Sequence, residues 1–320
     1  MTFVVLATDG VSEHGLAPLL EDARFDVIVI PDSGGEEFES RLSTASGLIV
    51  RSATKVDEAF IARASEVRVI GRAGVGVDNI DLDAATVKDI AVFNAPGANT
   101  NAAAEMTMAL MLALVRKVPE ADRSVRAGNW ERASFKGVEL KGRTLGLVGA
   151  GRIGGDVALR CQVFGMDVLV YDPYLSEERA DELGVRLVGL GEVIENADVI
   201  SCHVPLTDET RGMINVELLH RMKDGVYVIN ASRGGVIDEP ALASALQDGT
   251  IAGAALDVYE REPLTEDSML RDAPNLILTP HLGASTEEAQ VGVATEVALR
   301  IQAALAEGDV SAAVNAADLG

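Results

Sequence analysis

The stretch "GLVGAGRIGG", residues 146–155, leaves little freedom to the chain around it. Its core Gly149-Ala150-Gly151-Arg152-Ile153-Gly154 follows the apolar run "TLGLV" and opens the helical pattern "RIGGDVALRCQVFG". Gly149 permits a tight turn, Gly151 lets backbone approach a pyrophosphate, and Gly154 lets helix pack on strand. The helix start then offers free N–H groups and the positive end of its dipole to an anion. Alone, such a pattern is weak, because glycines often serve turns and nothing else. Here strand, helix and a second strand all agree.

That second strand, "DVLVYD", ends in Asp172, 23 residues beyond Gly149. An acid at this distance bonds both ribose hydroxyls of a dinucleotide and repels a 2′-phosphate. The plainer reading is a turn aspartate before Pro173. The complete β-α-β unit favours the first, so the expected cofactor is NAD rather than NADP.

The unit starts nearly halfway along 320 residues, so other structure must precede it. In the first hundred residues short apolar runs alternate with helical segments such as "KVDEAFIARAS". The runs are "FVVLA" (3–7), "DVIVI" (26–30), "GLIV" (47–50), "VRVIG" (67–71) and "IAVFN" (90–94). A second series occupies 143–149, 167–172, 185–188, 197–204, 225–230, 251–258 and 276–280. Near-continuous apolar runs suit parallel strands buried on both faces. The alternation predicts an α/β chain with two doubly wound parallel sheets, and this length suits two cores better than one. Between the series, Asn99, Thr100 and Asn101 offer N-caps to a helix with Ala, Met and Leu on all sides. Such a helix is expected to be buried all round, between domains or at a subunit interface. The final pattern, "TEEAQVGVATEVALRIQAALAEG", also carries apolar residues at helical spacing.

Composition removes several classes of function. The longest apolar run, Met106–Val115, has ten residues, half of the ~20 that span a bilayer. The start has no basic segment of the kind that opens a signal peptide. Two cysteines, Cys161 and Cys202, cannot build a disulfide framework or a four-ligand zinc site, so no metal is expected. A cytoplasmic, soluble chain follows. With 27 basic and 50 acidic residues the net charge is −23, and only six of the basic residues are lysines. That field repels nucleic acid and anionic membranes. It fits a surface adapted to a salt-rich cytoplasm, where screening shortens repulsion to a few Å. An anionic substrate then needs arginines placed for it.

The candidate chemistry lies at three predicted strand ends. Of four histidines, His14 and His220 suit surface roles, and His203 in "SCHVP" suits a structural one. His281 in "TPHLGAS" lies just past a strand, where ligands meet open α/β sheets. "DVYEREP" supplies Glu262, a carboxylate that can pair with His281, favour its imidazolium and orient its ring. "VINASRGG" supplies Arg233, whose planar fork suits a carboxylate, followed by two glycines that would let a small substrate approach the backbone. Near a nicotinamide these parts suit hydride transfer: Arg positions, His moves the proton, Glu tunes His. Singly each is more often a surface charge. Together on one sheet they favour catalysis.

With these stretches the chain resembles the D-isomer-specific 2-hydroxyacid dehydrogenases over nearly its whole length. The resemblance is carried by "RAGVGVDNID", "NAPGANTNAAAE", "GRTLGLVGAGRIGGDVA", "NASRGGVIDE", "GAALDVYEREP" and "PHLGAST". It implies that Arg233, Glu262 and His281 are the catalytic trio. It also implies a discontinuous, flavodoxin-like substrate-binding domain of residues 1–98 and 284–320, with a Rossmann NAD-binding domain of residues 99–283 inserted into it. Substrate would lie in the cleft between them, on Arg51, Ser52, the backbone at Val75 and Gly76, and Asn99. Beyond the glycine loop, cofactor contacts would fall on Val75, Val204, Ala231, Arg233, Asp257 and His281. Many relatives carry threonine or leucine where this chain has Val75. Larger members continue into a serine-sensing domain; the ending "AEGDVSAAVNAADLG" suits either a natural terminus or a cut before such a domain, and serine feedback is not predicted for these residues.

Among family substrates the resemblance points to 3-phosphoglycerate. Arg51 is the first candidate to meet its phosphate and Arg132 of "NWERASF" the second. The alternatives are a hydroxypyruvate or glyoxylate reductase, another D-2-hydroxyacid dehydrogenase, or an NAD-sensing corepressor-like binding protein. Family members pair through the region of the apolar helix and Trp130, so a homodimer is expected.

Overall fold

The computed structural model describes residues 2–319. The chain divides into two compact units, one of residues up to Asn99 together with those from Ala284 on, the other Thr100–Gly283.

The first unit holds five strands: β1 Phe3–Ala7, β2 Phe25–Val29, β3 Gly47–Val50, β4 Val69–Arg72 and β5 Ala91–Phe93. All neighbours are parallel, in the order β2-β1-β3-β4-β5. Alternate residues of each strand serve different cores. Val5, Ala7, Ile49 and Val69 pack with Val293, Val297 and Ile301 of the helix Glu287–Glu307. Leu6, Leu48, Val50 and Ile70 pack instead with Phe38, Leu42, Phe60 and Ile61. Two covered faces explain why these strands read as unbroken apolar runs. The long helix sits so close that a Cβ on Gly71 would lie 2.1 Å from Val297. Its ends match its sequence: Thr286 caps Ala289 N–H at 3.1 Å, and Gly308 takes the left-handed conformation that stops it. The exposed edge of β5 is covered by Val314 and Asn315, which bond Val92 O at 2.7 Å and Val92 N–H at 3.0 Å.

The second unit holds seven strands: β6 Thr144–Val148, β7 Asp167–Tyr171, β8 Arg186–Leu187, β9 Val199–Cys202, β10 Tyr227–Asn230, β11 Gly253–Leu256 and β12 Leu276–Leu278. Again all are parallel, in the order β12-β11-β10-β9-β6-β7-β8. Strand order reverses between β6 and β9, the crevice where doubly wound sheets bind nucleotides. Several strands are shorter than the apolar runs that foretold them. Residues such as Asp257, Val258 and Thr279 leave the ladder to build the loops beyond it.

The helix Thr100–Val115 is not buried all round. It packs on the helix Arg152–Val163 and on β10 to β12, but Asn101, Glu105 and Ala109 stand exposed along one side. These positions recur every four residues, which places them on a single strip. On its buried side Met108 and Met111 bring their sulfurs within 3.6 and 4.0 Å of Cys161 Sγ. Burial pushes both Cys161 and Cys202 up to about 12, which makes them inert packing residues. Among the described residues no helix is long and apolar enough to cross a membrane.

Candidate functional site

Every candidate of the second unit except Arg132 lies beyond the carboxyl end of a strand. Between β6 and the helix Arg152–Val163 the glycine loop turns at Gly149, with φ of +92°. A Cβ at Gly149 would fall 2.8 Å from His203 O, and one at Gly154 would fall 2.3 Å from Gly149 O. At Gly151 the same atom would meet nothing within 4 Å, and no side chain caps the first turn of the helix. The open side of Gly151 and the uncapped helix start form a cradle fitted to a pyrophosphate. Arg152 is exposed there and Ile153 half-buried. Asp172, past β7, accepts Ala150 N–H on Oδ2 and Tyr174 N–H on Oδ1, each at 2.9 Å. It therefore orders its turn and the glycine loop at once, with lone pairs left for a ribose. Val204, past β9, reaches the inside of the same turn, 2.9 Å from where a Gly149 Cβ would stand. Ala231 follows β10 and is half-buried.

The loop after β10 is gripped by Asn230, which is 2% exposed. Its amide donates to Arg233 O at 2.8 Å and its oxygen accepts from Ser232 N–H at 3.0 Å and from the Ser232 hydroxyl at 2.8 Å. Arg233 Nη1 donates to Ser232 O at 2.7 Å. Gly234 then passes so near the loop after β11 that a Cβ would lie 1.8 Å from Tyr259 O. The first of the two glycines after Arg233 is thus required by backbone crossing backbone. Room for a small substrate is not its reason.

Glu262 and His281 meet. Glu262 Oε2 lies 2.7 Å from His281 Nδ1, while Oε1 accepts Tyr259 N–H at 3.0 Å. Burial pushes the Glu262 carboxyl up, but the hydrogen bond and charge of His281, the Tyr259 amide and the charge of Arg233 together hold it below the usual carboxylate range. The carboxylate stays ionised and ready to hold an imidazolium. Glu239, at the start of the helix Glu239–Gln247, fastens the same loop by accepting Glu260 N–H at 2.5 Å.

His281 takes a left-handed backbone, φ +55°, a conformation that costs a non-glycine residue of order 1 kcal/mol. Asp257 holds it there. Asp257, expected among the cofactor contacts, is fully buried and braces this turn. Its carboxylate accepts the Thr279 hydroxyl at 2.6 Å, Leu282 N–H at 2.8 Å and Gly283 N–H at 2.8 Å, on both sides of His281.

In the first unit Arg51 and Ser52 follow β3, half-buried and exposed respectively, and Val75 and Gly76 follow β4. Val75 O accepts the Asn94 amide at 2.6 Å. Asn99 closes this unit's first segment. Arg132 stands exposed in a short turn, Arg132–Phe135, of the second unit. Neither the Arg51 nor the Arg132 side chain forms a hydrogen bond or ion pair among the described residues.

His203 is structural. Its Nε2 lies 2.9 Å from Ser201 Oγ, and burial lowers its pKa from 6.5 to about 4. The unfolded chain therefore binds a proton that the folded chain refuses as pH falls from about 6.5 towards 4. This penalty is absent above pH ~7 and grows to roughly 2–3 kcal/mol near pH 4. His203→Gln is expected to flatten that part of the stability–pH curve. Urea unfolding at pH 7.5 and pH 5 measures it, and equal pH dependence in both proteins would refute the assignment.

A sequence model described as the NAD binding domain of the D-isomer specific 2-hydroxyacid dehydrogenases matches residues 108–283. The chain is 50% identical over 295 residues to a D-3-phosphoglycerate dehydrogenase of Bacillus subtilis, an alignment covering 92% of this chain and 55% of that one. It thus spans about half the length of the curated relatives it matches. Among solved structures, the TT0316 protein of Thermus thermophilus superposes with a TM-score of 0.87 at 35% identity, covering 95% of this chain and 97% of that one. D-lactate dehydrogenase of Aquifex aeolicus, complexed with NAD and lactic acid, gives 0.84 at 32% identity, covering 96% and 97%.

Proposed function

The chain belongs to the D-isomer specific 2-hydroxyacid dehydrogenase family, and from that premise we propose that it oxidises 3-phospho-D-glycerate to 3-phosphohydroxypyruvate with NAD, the opening reaction of serine biosynthesis. The observation that carries the reading is the 2.7 Å pair of His281 and Glu262 beside the Arg233 loop. The relatives named D-3-phosphoglycerate dehydrogenase, at 48–50% identity, support the choice of substrate.

When bound, NAD supplies the acceptor for a hydride. The glycine loop and Asp172 would hold it, with Val75, Val204 and Ala231 as further contacts. Arg233 grips the substrate carboxylate in its fork and polarises the adjacent C2–O bond. With Nδ1 committed to Glu262, His281 uses Nε2 to take the hydroxyl proton while the C2 hydrogen leaves with its electron pair. The product is a ketone, and the proton stays on an imidazolium that Glu262 stabilises. Arg51 and Ser52, on the proposed substrate-binding domain of residues 1–98 and 284–320, meet the phosphate, with Asn99 and the backbone at Gly76 as further substrate contacts. Arg132 is the second candidate for the phosphate.

NAD reduction with 3-phosphoglycerate, glycerate and lactate tests the reading. A phosphoglycerate kcat/KM above the others by at least tenfold, the scale of one charge-assisted phosphate contact, is the expected result. A better rate with glycerate or lactate would move the chain to the reductases or lactate dehydrogenases. The likeness to the Aquifex enzyme complexed with lactic acid is the observation behind that second reading.

Asp172 sets the nucleotide preference. Asp172→Asn keeps an oxygen for Ala150 N–H and removes the charge, so the NAD-over-NADP ratio of kcat/KM is expected to fall at least tenfold. Equal change for both nucleotides would remove Asp172 from this role.

The chain acts as a homodimer. Val118 and Val125 of the helix Val118–Arg126 and Trp130 just beyond are 53%, 54% and 78% exposed, an apolar surface that a second copy would cover. Sedimentation as a monomer at assay concentration and salt would exclude it. Its net charge of −23 suits a salt-rich cytoplasm. Faster NAD reduction in 0.1 M than in molar KCl would rule that setting out.

A further inference from the structure

The loop that carries Arg51 and Ser52 is held by two side chains that touch no part of the reaction. Beyond β1 the chain turns at Asp9 and Gly10, both left-handed at φ +62° and +65°. Aspartate tolerates this region better than most residues, and the turn leads the Asp9 carboxylate across to the loop after β3. There Oδ2 accepts Arg51 N–H at 2.8 Å and Thr54 N–H at 3.0 Å, and Oδ1 accepts the Thr54 hydroxyl at 2.7 Å. From the other side, Asn79 of the loop after β4 donates its amide to Arg51 O at 2.8 Å and Thr54 O at 2.7 Å. Both amides and both carbonyls that bound the loop are therefore occupied. Thr54 is 3% exposed and shares a further 2.7 Å bond with Ser33, whereas Ser52 and Ala53 stand exposed at the tip.

We propose that Asp9 and Asn79 are positioning residues for the acid substrate, clamping residues 51–54 so that Arg51 and Ser52 are presented in one fixed geometry. The inference rests on the reading that Arg51 and Ser52 bind substrate. The polarity of each member fits its task. Asp9 meets three donors and needs only acceptors, while Asn79 meets two carbonyls and needs only donors. A loose loop would pay the ordering entropy at each binding event, whereas a clamped one has paid it on folding.

The test uses Asp9→Ala, Asn79→Asp and Asp9→Asn in the full chain. Asn79→Asp sets a carboxylate against two carbonyls and opens the clamp without changing size. Asp9→Asn preserves it, because Oδ1 can keep both backbone amides while the Thr54 hydroxyl reverses its hydrogen. Steady-state KM is measured for whichever of 3-phosphoglycerate, glycerate and lactate the wild type uses best. The first two variants are expected to raise that KM at least fivefold, with kcat and the NAD KM within threefold, and Asp9→Asn to restore it. In an Arg51→Ala background the same substitutions are expected to add less than twofold. Faster hydrogen exchange at the Arg51 and Thr54 amides, with overall unfolding unchanged, reads the opened clamp directly. A KM rise below fivefold in folded variants, or full effects persisting without Arg51, overturns the proposal. A wild type that prefers glycerate or lactate instead defeats the phosphoglycerate reading alone, because the clamp is still judged on the preferred acid.

Discussion

His281→Ala is expected to lower kcat by ~10²–10⁴-fold, the range for losing a general acid–base, with the NAD KM little changed. The expectation follows from geometry. His281 Nδ1 is held by Glu262 at 2.7 Å, which leaves Nε2 as the nitrogen free to exchange a proton with substrate. Its backbone is fixed in a left-handed turn by three hydrogen bonds to Asp257. Glu262→Gln keeps the shape of the partner and removes its charge, so its loss is expected to be smaller than that of His281→Ala. Rates of NAD reduction at saturating substrate provide the measurement. Near-normal turnover without His281 would pass the role to another group. His203 is poorly suited to receive it, being bound to Ser201 and lowered to about 4.

Gly234→Ala should cost stability and activity together. The added Cβ would lie 1.8 Å from Tyr259 O and 1.9 Å from its carbonyl carbon, both backbone atoms that no rotamer change can move. The loops bearing Arg233 and Glu262 must then separate. Forced overpacking of this kind costs about 3 kcal/mol or more, and displacing catalytic groups by about 1 Å can cost ~10² in rate. Gly235→Ala is the internal control. It sits at φ +78° with its nearest contacts at 3.5 Å, so it should lose about 1–2 kcal/mol for the left-handed backbone alone. Thermal unfolding and kcat/KM of the two variants decide the matter. Comparable effects at both positions would refute the crossing-backbone account.

The contrast between these glycines marks how far sequence reading reaches here. Both parallel sheets were legible, because strands covered on two faces write themselves as apolar runs and helices of different period separate them. Arg233, Glu262 and His281 were legible for a related reason, since each stands one short step beyond such a run. The distant partners that hold the site's loops were not. Asp9 grips residues 42 and 45 positions away, and Asp257 braces a turn 22 to 26 positions on. No local pattern records such a bond. Asn230 was nearer to reach, as a polar residue closing an apolar strand just before Ser232 and Arg233. The helix Thr100–Val115 failed for a subtler cause. Alanine at position 109 is as ready to face water as to be buried, so composition alone hid the exposed strip with Asn101 and Glu105.

The divided first unit also sets a schedule for synthesis. Its five strands are complete by Phe93, yet the helix that covers Val5, Ile49 and Val69 begins only at Glu287, after the whole second unit. At ~5–20 residues per second, the 184 residues of Thr100–Gly283 take roughly 10–40 s to emerge from a ribosome. Throughout that interval one apolar face of the nascent sheet lacks its main cover, with Leu16 and Leu19 in place but the groove at Gly71 still empty of Val297. The second unit carries its own cores and can fold as it emerges. The half of the molecule made first is therefore the last to close.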